Sequence, residues 1–164
     1  MQAELRNSIL RMLGENGRIA VHEIAERLGS TEKEVSASIA KMEAESIIIG
    51  YRAVYDESTL PENAVKAIIE VKIRPEREGG FDRIARRLSK FPEVSSLYLV
   101  SGGFDLLLEI KGENLNAVAQ FVSSKLATMD GVISTATHFL LKKYKESGKL
   151  MQDEEDHERL KITP

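Results

Sequence analysis

Apolar residues recur every three or four positions in three short stretches of the first fifty residues, which is the spacing of amphipathic helices. The pattern predicts helices over residues 4–14, 21–28 and about 31–45. Ser30 or Thr31 begins the third helix, because Glu34 follows at the spacing of a capping box. A tight turn at Gly29 joins the last two helices, so residues 1–50 are predicted to form a helix-turn-helix domain.

The stretch that follows is rich in β-branched and aromatic side chains. Residues 47–55 contain three consecutive isoleucines and two tyrosines, which favours an extended strand. We predict that they form the wing of a winged helix-turn-helix or a strand that leads out of it. Turn-forming Ser58, Pro61 and Asn63 come next, so residues 51–63 are assigned to a linker strand and hinge.

Residues 64–144 alternate between strand-like and helical patterns in the order β-α-β-β-α-β. Strands are expected at 64–74, 94–100, 104–110 and 132–141, and helices at 81–91 and 115–129. This order is that of a ferredoxin-like fold, and it places the chain in the α+β class. Two helices cover one face of such a sheet, so we expect a partner subunit to cover the other face. Residues 145–164 are charged and lack an apolar period, which predicts a solvated tail or a frayed helix.

Composition restricts the classes of protein that fit. The chain has no cysteine, so disulfides and thiolate metal sites are excluded. It has no apolar stretch long enough to span a membrane and no signal-peptide pattern, which favours a soluble, cytoplasmic protein without a membrane partner. The formal net charge is -3, so any contact with nucleic acid has to come from a local basic surface or from an assembly.

Several local strings stand in a characteristic order along the chain. They are Ile9-Leu10 with Leu13 and Asn16-Gly17-Arg18, then the strings at 24–29, 42–53, 100–108 and 129–137. Together they resemble the Lrp/AsnC family of prokaryotic transcription regulators, over about residues 5–144. The resemblance implies a DNA-binding regulator whose ferredoxin-like (RAM-type) domain pairs through its sheets into dimers, which then assemble into a higher oligomer such as an octamer.

The resemblance also implies a small-molecule effector, commonly an amino acid, held between dimers. The matching positions here are Gly102, Gly103 and Asp105 in the turn before the third strand, and Thr135 and Thr137 on the last strand. Glycine N–H groups can hold a carboxylate, and an aspartate can accept from an ammonium group. Three alternatives stay open: the glycines serve only a turn that needs positive φ, Asp105 only bonds the turn backbone, and the threonines are ordinary strand residues.

The DNA contacts are expected from the third helix and the residues around it. The candidates are Ser30, Thr31, Lys33, Ser36, Ser38, Lys41 and Arg52. Between Leu5 and Gly50, however, six basic residues face seven acidic ones, and the third helix has no arginine. A single helix-turn-helix domain should therefore bind DNA weakly, although several such domains linked in an oligomer gain avidity. The alternative is a metabolite-sensing oligomer that has weak or lost DNA binding.

An enzyme is the remaining class of protein to consider, because some relatives of this family are sirohaem decarboxylases that use histidines near a tetrapyrrole. This chain has His22, His138 and His157, which lie far apart in the predicted elements. No acid-base pair, nucleophile triad, phosphate loop or metal-spaced cluster is present in the sequence. We therefore expect a protein that is not an enzyme, with no catalytic residue, cofactor or metal.

Overall fold

The computed structural model describes residues 2–55, 64–75 and 80–151. The chain forms two compact units that divide between Tyr55 and Asp56. Each unit has its own hydrophobic core, and each is described separately below. Within the described residues, no helix has the length and apolar character needed to cross a membrane.

The first unit consists of three helices around a small core. They are α1 (Gln2–Glu15), α2 (Val21–Leu28) and α3 (Glu32–Ala44). The core side chains come from all three helices, and the fully buried ones are Ile9, Ile24, Ala25, Val35 and Met42. These residues occupy the apolar stripes that the sequence pattern assigned to the three helices, and the predicted helix-turn-helix is confirmed.

The turn between α2 and α3 is closed by backbone hydrogen bonds. Gly29 adopts the left-handed conformation with φ of 60°. Its N–H donates to the carbonyl of Glu26 at 3.3 Å, and the N–H of Ser30 donates to the carbonyl of Ala25 at 3.0 Å. Glycine suits this position because a side chain would strain the left-handed backbone. The turn therefore holds α3 at a fixed angle to α2.

The predicted wing is wrong. Residues 47–55 are all described and contain no strand. Ile48 packs against the core, but Ile49 is 93% exposed. A strand needs a neighbour to satisfy its backbone hydrogen bonds, and the described residues of the first unit include no second strand. High β-propensity alone therefore does not make a wing here. The predicted hinge at 56–63 lies outside the described residues.

The second unit has the predicted β-α-β-β-α-β order. Its elements are β1 (Val65–Ile73), α4 (Asp82–Leu88), β2 (Val94–Leu99), β3 (Leu106–Gly112), α5 (Leu115–Phe121) and β4 (Val132–Phe139). After α5 the chain continues as a π-helical turn (Val122–Leu126). The four strands form one sheet in the order β2-β3-β1-β4, with all neighbours antiparallel. The ferredoxin-like fold and the predicted β2–β3 hairpin are confirmed.

One face of the sheet is buried beneath the helices. The central strand β1 buries every second residue from Ala67 to Ile73, and β3 does the same from Leu106 to Ile110. These side chains pack with residues of α4, α5 and the π-helical turn, which are Ile84, Leu88, Val118, Phe121 and Leu126. This face forms the core of the second unit.

The alternate residues of the same strands point to the other face. The register places Ile68 beside Glu109 and His138, and Glu70 beside Leu107 and Ala136. The side chains of His138 and Glu70 are 57% and 37% exposed. We call this surface the open sheet face. It carries a mixture of apolar and charged groups.

The start of the predicted tail is folded, which corrects the expectation of a solvated tail or frayed helix over these residues. Two short strands, β5 (Lys145–Glu146) and β6 (Lys149–Leu150), pair as a hairpin. Ser147 and Gly148 connect them with φ of 46° and 79°. Two consecutive residues at positive φ are the signature of a two-residue hairpin turn. The rest of the predicted tail, residues 152–164, lies outside the described residues.

Gly131, which precedes β4, is a position where an added side chain would press on the core. Its φ is 91°, and an added Cβ would lie 2.5 Å from Cδ1 of Ile84 in the core. Gly148 also has positive φ, but an added Cβ there would meet nothing within 4 Å. Gly131→Ala should therefore suffer both backbone strain and overpacking, whereas Gly148→Ala should suffer only the strain.

We predict that Gly131→Ala lowers the free energy of unfolding by about 1–3 kcal/mol more than Gly148→Ala does. Urea unfolding of both variants at one protein concentration measures the difference. Equal losses in the two variants would contradict the assigned contact with Ile84.

Candidate DNA and effector sites

The start of α3 is held by a complete capping box. Oγ1 of Thr31 accepts from the N–H of Glu34 at 3.2 Å, and Oε2 of Glu34 accepts from the N–H of Thr31 at 3.1 Å. The hydroxyl of Ser30 also donates to this carboxylate oxygen, at 2.9 Å. The hydrogen bond from the Thr31 backbone, followed by those from the two hydroxyls, lowers the pKa of Glu34. Glu34 thus serves helix capping.

The capping box divides the predicted DNA-binding residues into two groups. The hydroxyls of Ser30 and Thr31 are already bonded to Glu34. Lys33, Ser36 and Lys41 are exposed, on the side of α3 opposite its buried residues. These three side chains are thus spread over about 140° of the exposed face of α3.

The remaining two candidates lie at the edge of this face or beyond it. Ser38 is half-buried. Arg52 is exposed and follows Tyr51, whose hydroxyl donates to Oε1 of Glu43 on α3 at 2.9 Å. Burial raises the pKa of Tyr51, and the hydrogen bond to Glu43 raises it further. The Tyr51–Glu43 bond fastens the segment that carries Arg52 to α3.

The face is not strongly positive. Lys41 lies 3.8 Å from the carboxylate of Glu45, one helical turn away. Glu32 and Glu34 flank Lys33 in the first turn of α3. Their carboxylates favour the positive end of the helix dipole, which accounts for their presence without any ligand. The exposed face of α3 thus has little net positive charge, as the count of basic and acidic residues in the sequence predicts.

The turn between β2 and β3 contains the predicted glycines. Gly102 and Gly103 are exposed, and neither has positive φ. A Cβ added at either position would meet nothing within 4 Å. The alternative that these glycines serve a turn requiring positive φ is therefore wrong, and this chain does not need glycine at either position to fold.

Asp105, in contrast, has a structural role. Its Oδ2 accepts from the N–H of Ile73 at 2.8 Å, and its own N–H donates to the carbonyl of Val71 at 3.0 Å. The ladder of β1 with β3 ends at the pair Val71–Leu106, so the carboxylate of Asp105 supplies the acceptor that β3 no longer offers to the N–H of Ile73. Asp105, in the β2–β3 turn, thus bonds the backbone of the central strand β1.

The two threonines lie on the other side of the same central strand. Thr135 is paired with Val71 and Thr137 with Ile69, and both are half-buried on the helix-covered side of the sheet. Asp105 and Thr135 thus flank Val71, about 10 Å apart across two strand spacings. The structure brings them to one end of the sheet, with Thr137 two residue pairs further in.

A groove of about 580 Å³ lies elsewhere, beside α5. Its lining residues include Glu93, Lys125 and Phe121, and none of the five predicted effector residues. Nζ of Lys125 lies 2.5 Å from Oε1 of Glu93 and 5.5 Å from the ring centre of Phe91. The hydrogen bond from Lys125 lowers the pKa of Glu93. These contacts cross-link the π-helical turn to the loop before β2.

The two described histidines lie in different units. His22 lies on α2 in the first unit, and Nε2 of His138 lies 3.4 Å from Oε1 of Glu70 on the open sheet face. His157 falls outside the described residues. In the part of the chain that the structure describes, no group of three or more acidic or histidine side chains is arranged to hold a metal ion.

The contact of Asp105 with β1 generates a stability prediction. Asp105→Ala should destabilise the second unit by about 1–3 kcal/mol, because the buried N–H of Ile73 loses its acceptor. Asp105→Asn keeps an oxygen acceptor and should lose less. Thermal unfolding of both variants distinguishes them, and an unaltered midpoint in Asp105→Ala would show that the bond to Ile73 contributes nothing.

Both units match known protein families. A family model of the AsnC-type helix-turn-helix domain matches residues 7–43, and one of the Lrp/AsnC ligand-binding domain matches residues 66–150. An HTH-type transcriptional regulator of Bacillus subtilis (strain 168), YugG, is 43% identical over 162 residues, which is 98% of this chain and 98% of that protein. A leucine-responsive regulatory protein of Rhizobium meliloti (strain 1021) is 31% identical over 85% of this chain and 88% of that protein.

Solved structures agree with the sequence relatives. The structure of a transcriptional regulator from Neisseria meningitidis in complex with L-Met is 28% identical, with a TM-score of 0.62 over 87% of this chain and 91% of that one. The helix-turn-helix, the ferredoxin-like sheet and these matches converge on one conclusion. The chain belongs to the Lrp/AsnC family and is a transcriptional regulator with a DNA-binding helix-turn-helix and a ligand-binding domain.

Proposed function

We propose that this regulator reads duplex DNA with the exposed face of α3 and that an amino acid bound by the second unit sets its affinity for DNA. The observation that carries the proposal is the presence of both matched domains in one chain. Relatives matched over most of the chain are named as regulators of transcription, which supports a regulatory role without enzymatic activity, cofactor or metal.

The DNA contacts are proposed at the free face of α3. Lys33 and Lys41 supply phosphate contacts, and Ser36 between them supplies a hydrogen-bonding group toward the base edges. Arg52 adds a further phosphate contact beyond the end of α3. Ser30, Thr31 and Ser38 take part through the backbone and helix geometry, since the two hydroxyls of Ser30 and Thr31 also serve the capping box.

Assembly into an oligomer compensates for the lack of net positive charge on a single helix-turn-helix domain. The open sheet face is proposed to pair with the same face of a second copy, because it exposes apolar groups such as Tyr98 beside Leu107. Dimers then associate further into an oligomer such as an octamer. Linking several heads raises the effective DNA affinity by about 10²–10⁴ without new contacts.

The effector site is proposed at the end of the sheet that carries the β2–β3 turn. Gly102 and Gly103 are exposed, and glycine N–H groups in such a turn can hold a carboxylate. One oxygen of Asp105 bonds Ile73, which leaves the other for an ammonium group. Thr135 and Thr137 line the neighbouring edge strand. The L-Met complex of the Neisseria meningitidis regulator supports an amino acid as the ligand class.

A second candidate function is supported by the acidic first unit. A metabolite-sensing oligomer with weak or lost DNA binding would retain the effector site and the assembly. It would show no salt-sensitive affinity for duplex DNA. The DNA-binding experiment described next separates the two functions.

We predict that Lys33→Gln/Lys41→Gln weakens binding to duplex DNA from the protein's own promoter region. The slope of log affinity against log salt should fall by about 0.9 for each phosphate that is no longer neutralised. Arg6→Gln/Arg11→Gln removes two exposed charges from α1 and is the matched control. Fluorescence anisotropy at several salt concentrations measures both slopes.

Equal behaviour of the two double variants would contradict the assignment of α3 as the DNA-reading helix. Absence of binding by the unmodified oligomer at every salt concentration would favour the metabolite-sensing alternative.

We predict that Gly102→Ala/Gly103→Ala folds normally, because each added Cβ enters open space. It should bind DNA as the unmodified protein does and lose the response of that binding to amino acids, because the methyl groups obstruct the carboxylate. Gly14→Ala also adds a methyl group into open space, in the first unit, and should keep the response. A variant at 102 and 103 that still responds fully would place the effector elsewhere.

A further inference from the structure

One helix of the second unit has a strongly basic outer face. Arg83, Arg86 and Arg87 on α4 and Lys90 just after it are all exposed. Ile84 and Leu88 of the same helix are buried in the core. We call these four basic residues the α4 basic face.

Helical geometry places the four side chains together. At about 100° per residue they fall within roughly 100° of the helix circumference, turned away from Ile84 and Leu88. The helix ends at Leu88, but the N–H of Lys90 donates to the carbonyl of Arg87 at 3.3 Å, which keeps Lys90 in the turn. From Arg83 to Lys90 the face extends about 10 Å along the helix axis.

The charge of this region contrasts with the rest of the protein. The segment from Arg74 to Lys90 contains six basic and three acidic residues, in a chain whose formal net charge is -3. The helix-turn-helix, where DNA affinity is expected, is itself slightly acidic. Positive charge is thus concentrated in this one segment of the second unit.

Three of the four basic groups have no partner of their own in the described part of the chain. Arg86, Arg87 and Lys90 form no side-chain ion pair or hydrogen bond there, whereas Arg83 has an interaction of its own. Neighbouring positive charges that form no ion pair within the described residues attract a polyanion.

We propose that the α4 basic face binds the phosphate backbone of duplex DNA, as a second DNA-contacting surface outside the helix-turn-helix. A 10 Å length of duplex carries roughly six phosphate charges, which is enough to engage all of the basic groups. Arginine is suited to this contact because its planar guanidinium bonds phosphate oxygens in pairs. Such contacts carry no base specificity, and they add DNA affinity to a protein whose helix-turn-helix domain has little positive charge. The inference rests on DNA binding by the intact oligomer.

The test compares two double variants that lose the same charge. Arg86→Gln/Arg87→Gln removes two groups of the α4 basic face, and glutamine keeps good helix propensity. Lys145→Gln/Lys149→Gln removes two exposed charges from the β5–β6 hairpin and is the control. Both are measured as size-checked oligomers, by anisotropy of a labelled promoter duplex and of a scrambled duplex, at several salt concentrations.

The Arg86/Arg87 variant should bind both duplexes more weakly, with a salt slope reduced by about 0.9 for each phosphate that the arginines no longer neutralise. The control should match the unmodified protein. An unchanged slope in the Arg86/Arg87 variant overturns the inference, and so does an equal loss in the control, which would indicate a general effect of net charge. If the Arg86/Arg87 variant has a different oligomer size, the α4 basic face contacts another protein subunit, and the inference is overturned as well.

The outcomes also separate this inference from the proposed function. If the unmodified oligomer binds duplex DNA and the Arg86/Arg87 variant binds with the same affinity and slope, only the inference fails. If the unmodified oligomer binds no duplex at any salt concentration, both fail.

Discussion

The central strand β1 is the element on which the second unit depends. It is hydrogen-bonded on both sides, to β3 and to β4, so Ile69 lies between Leu108 and Thr137. Because side chains alternate along a strand, the same register that buries Ile69 sends Ile68 and Glu70 to the open sheet face. A shift by one residue would exchange the core for the proposed assembly surface. Core packing therefore also determines which groups are presented to a partner.

The proposed functional surfaces are consequences of this sheet. At the end of β1, the carboxylate of Asp105 bonds the N–H of Ile73 and thereby positions the turn that carries Gly102 and Gly103. On the covered face, burial of Ile84 and Leu88 turns the basic side of α4 outward. The effector turn, the open sheet face and the α4 basic face thus derive from one packing arrangement. In the first unit, the capping box at Thr31 similarly positions the exposed face of α3.

Periodicity predicted the elements well, because burial of one stripe or one face leaves a repeat that is visible in the sequence. It predicted a wing at residues 47–55 from β-propensity, but a strand depends on a neighbour that a local pattern does not reveal. The β5–β6 hairpin turns at Ser147-Gly148 among charged residues that lack an apolar period, so the hydrophobic pattern does not reveal it. The contact of Asp105 with Ile73 joins residues 32 positions apart, and that of Tyr51 with Glu43 joins residues eight positions apart on either side of a helix end, so neither follows a periodic spacing. For the same reason, the sequence proposed Asp105 as an effector residue before its bond to β1 was visible.

The most direct test of the account is the thermodynamic linkage between the two domains. The affinity of the intact oligomer for promoter DNA would be measured with and without each amino acid, and the affinity for the active amino acid would be measured with and without DNA. Because coupling free energy is reciprocal, the account predicts that the same factor appears in both measurements. An oligomer whose DNA affinity is unaltered by every amino acid, or in which the two factors disagree, would contradict a regulator whose DNA binding is set by an amino acid.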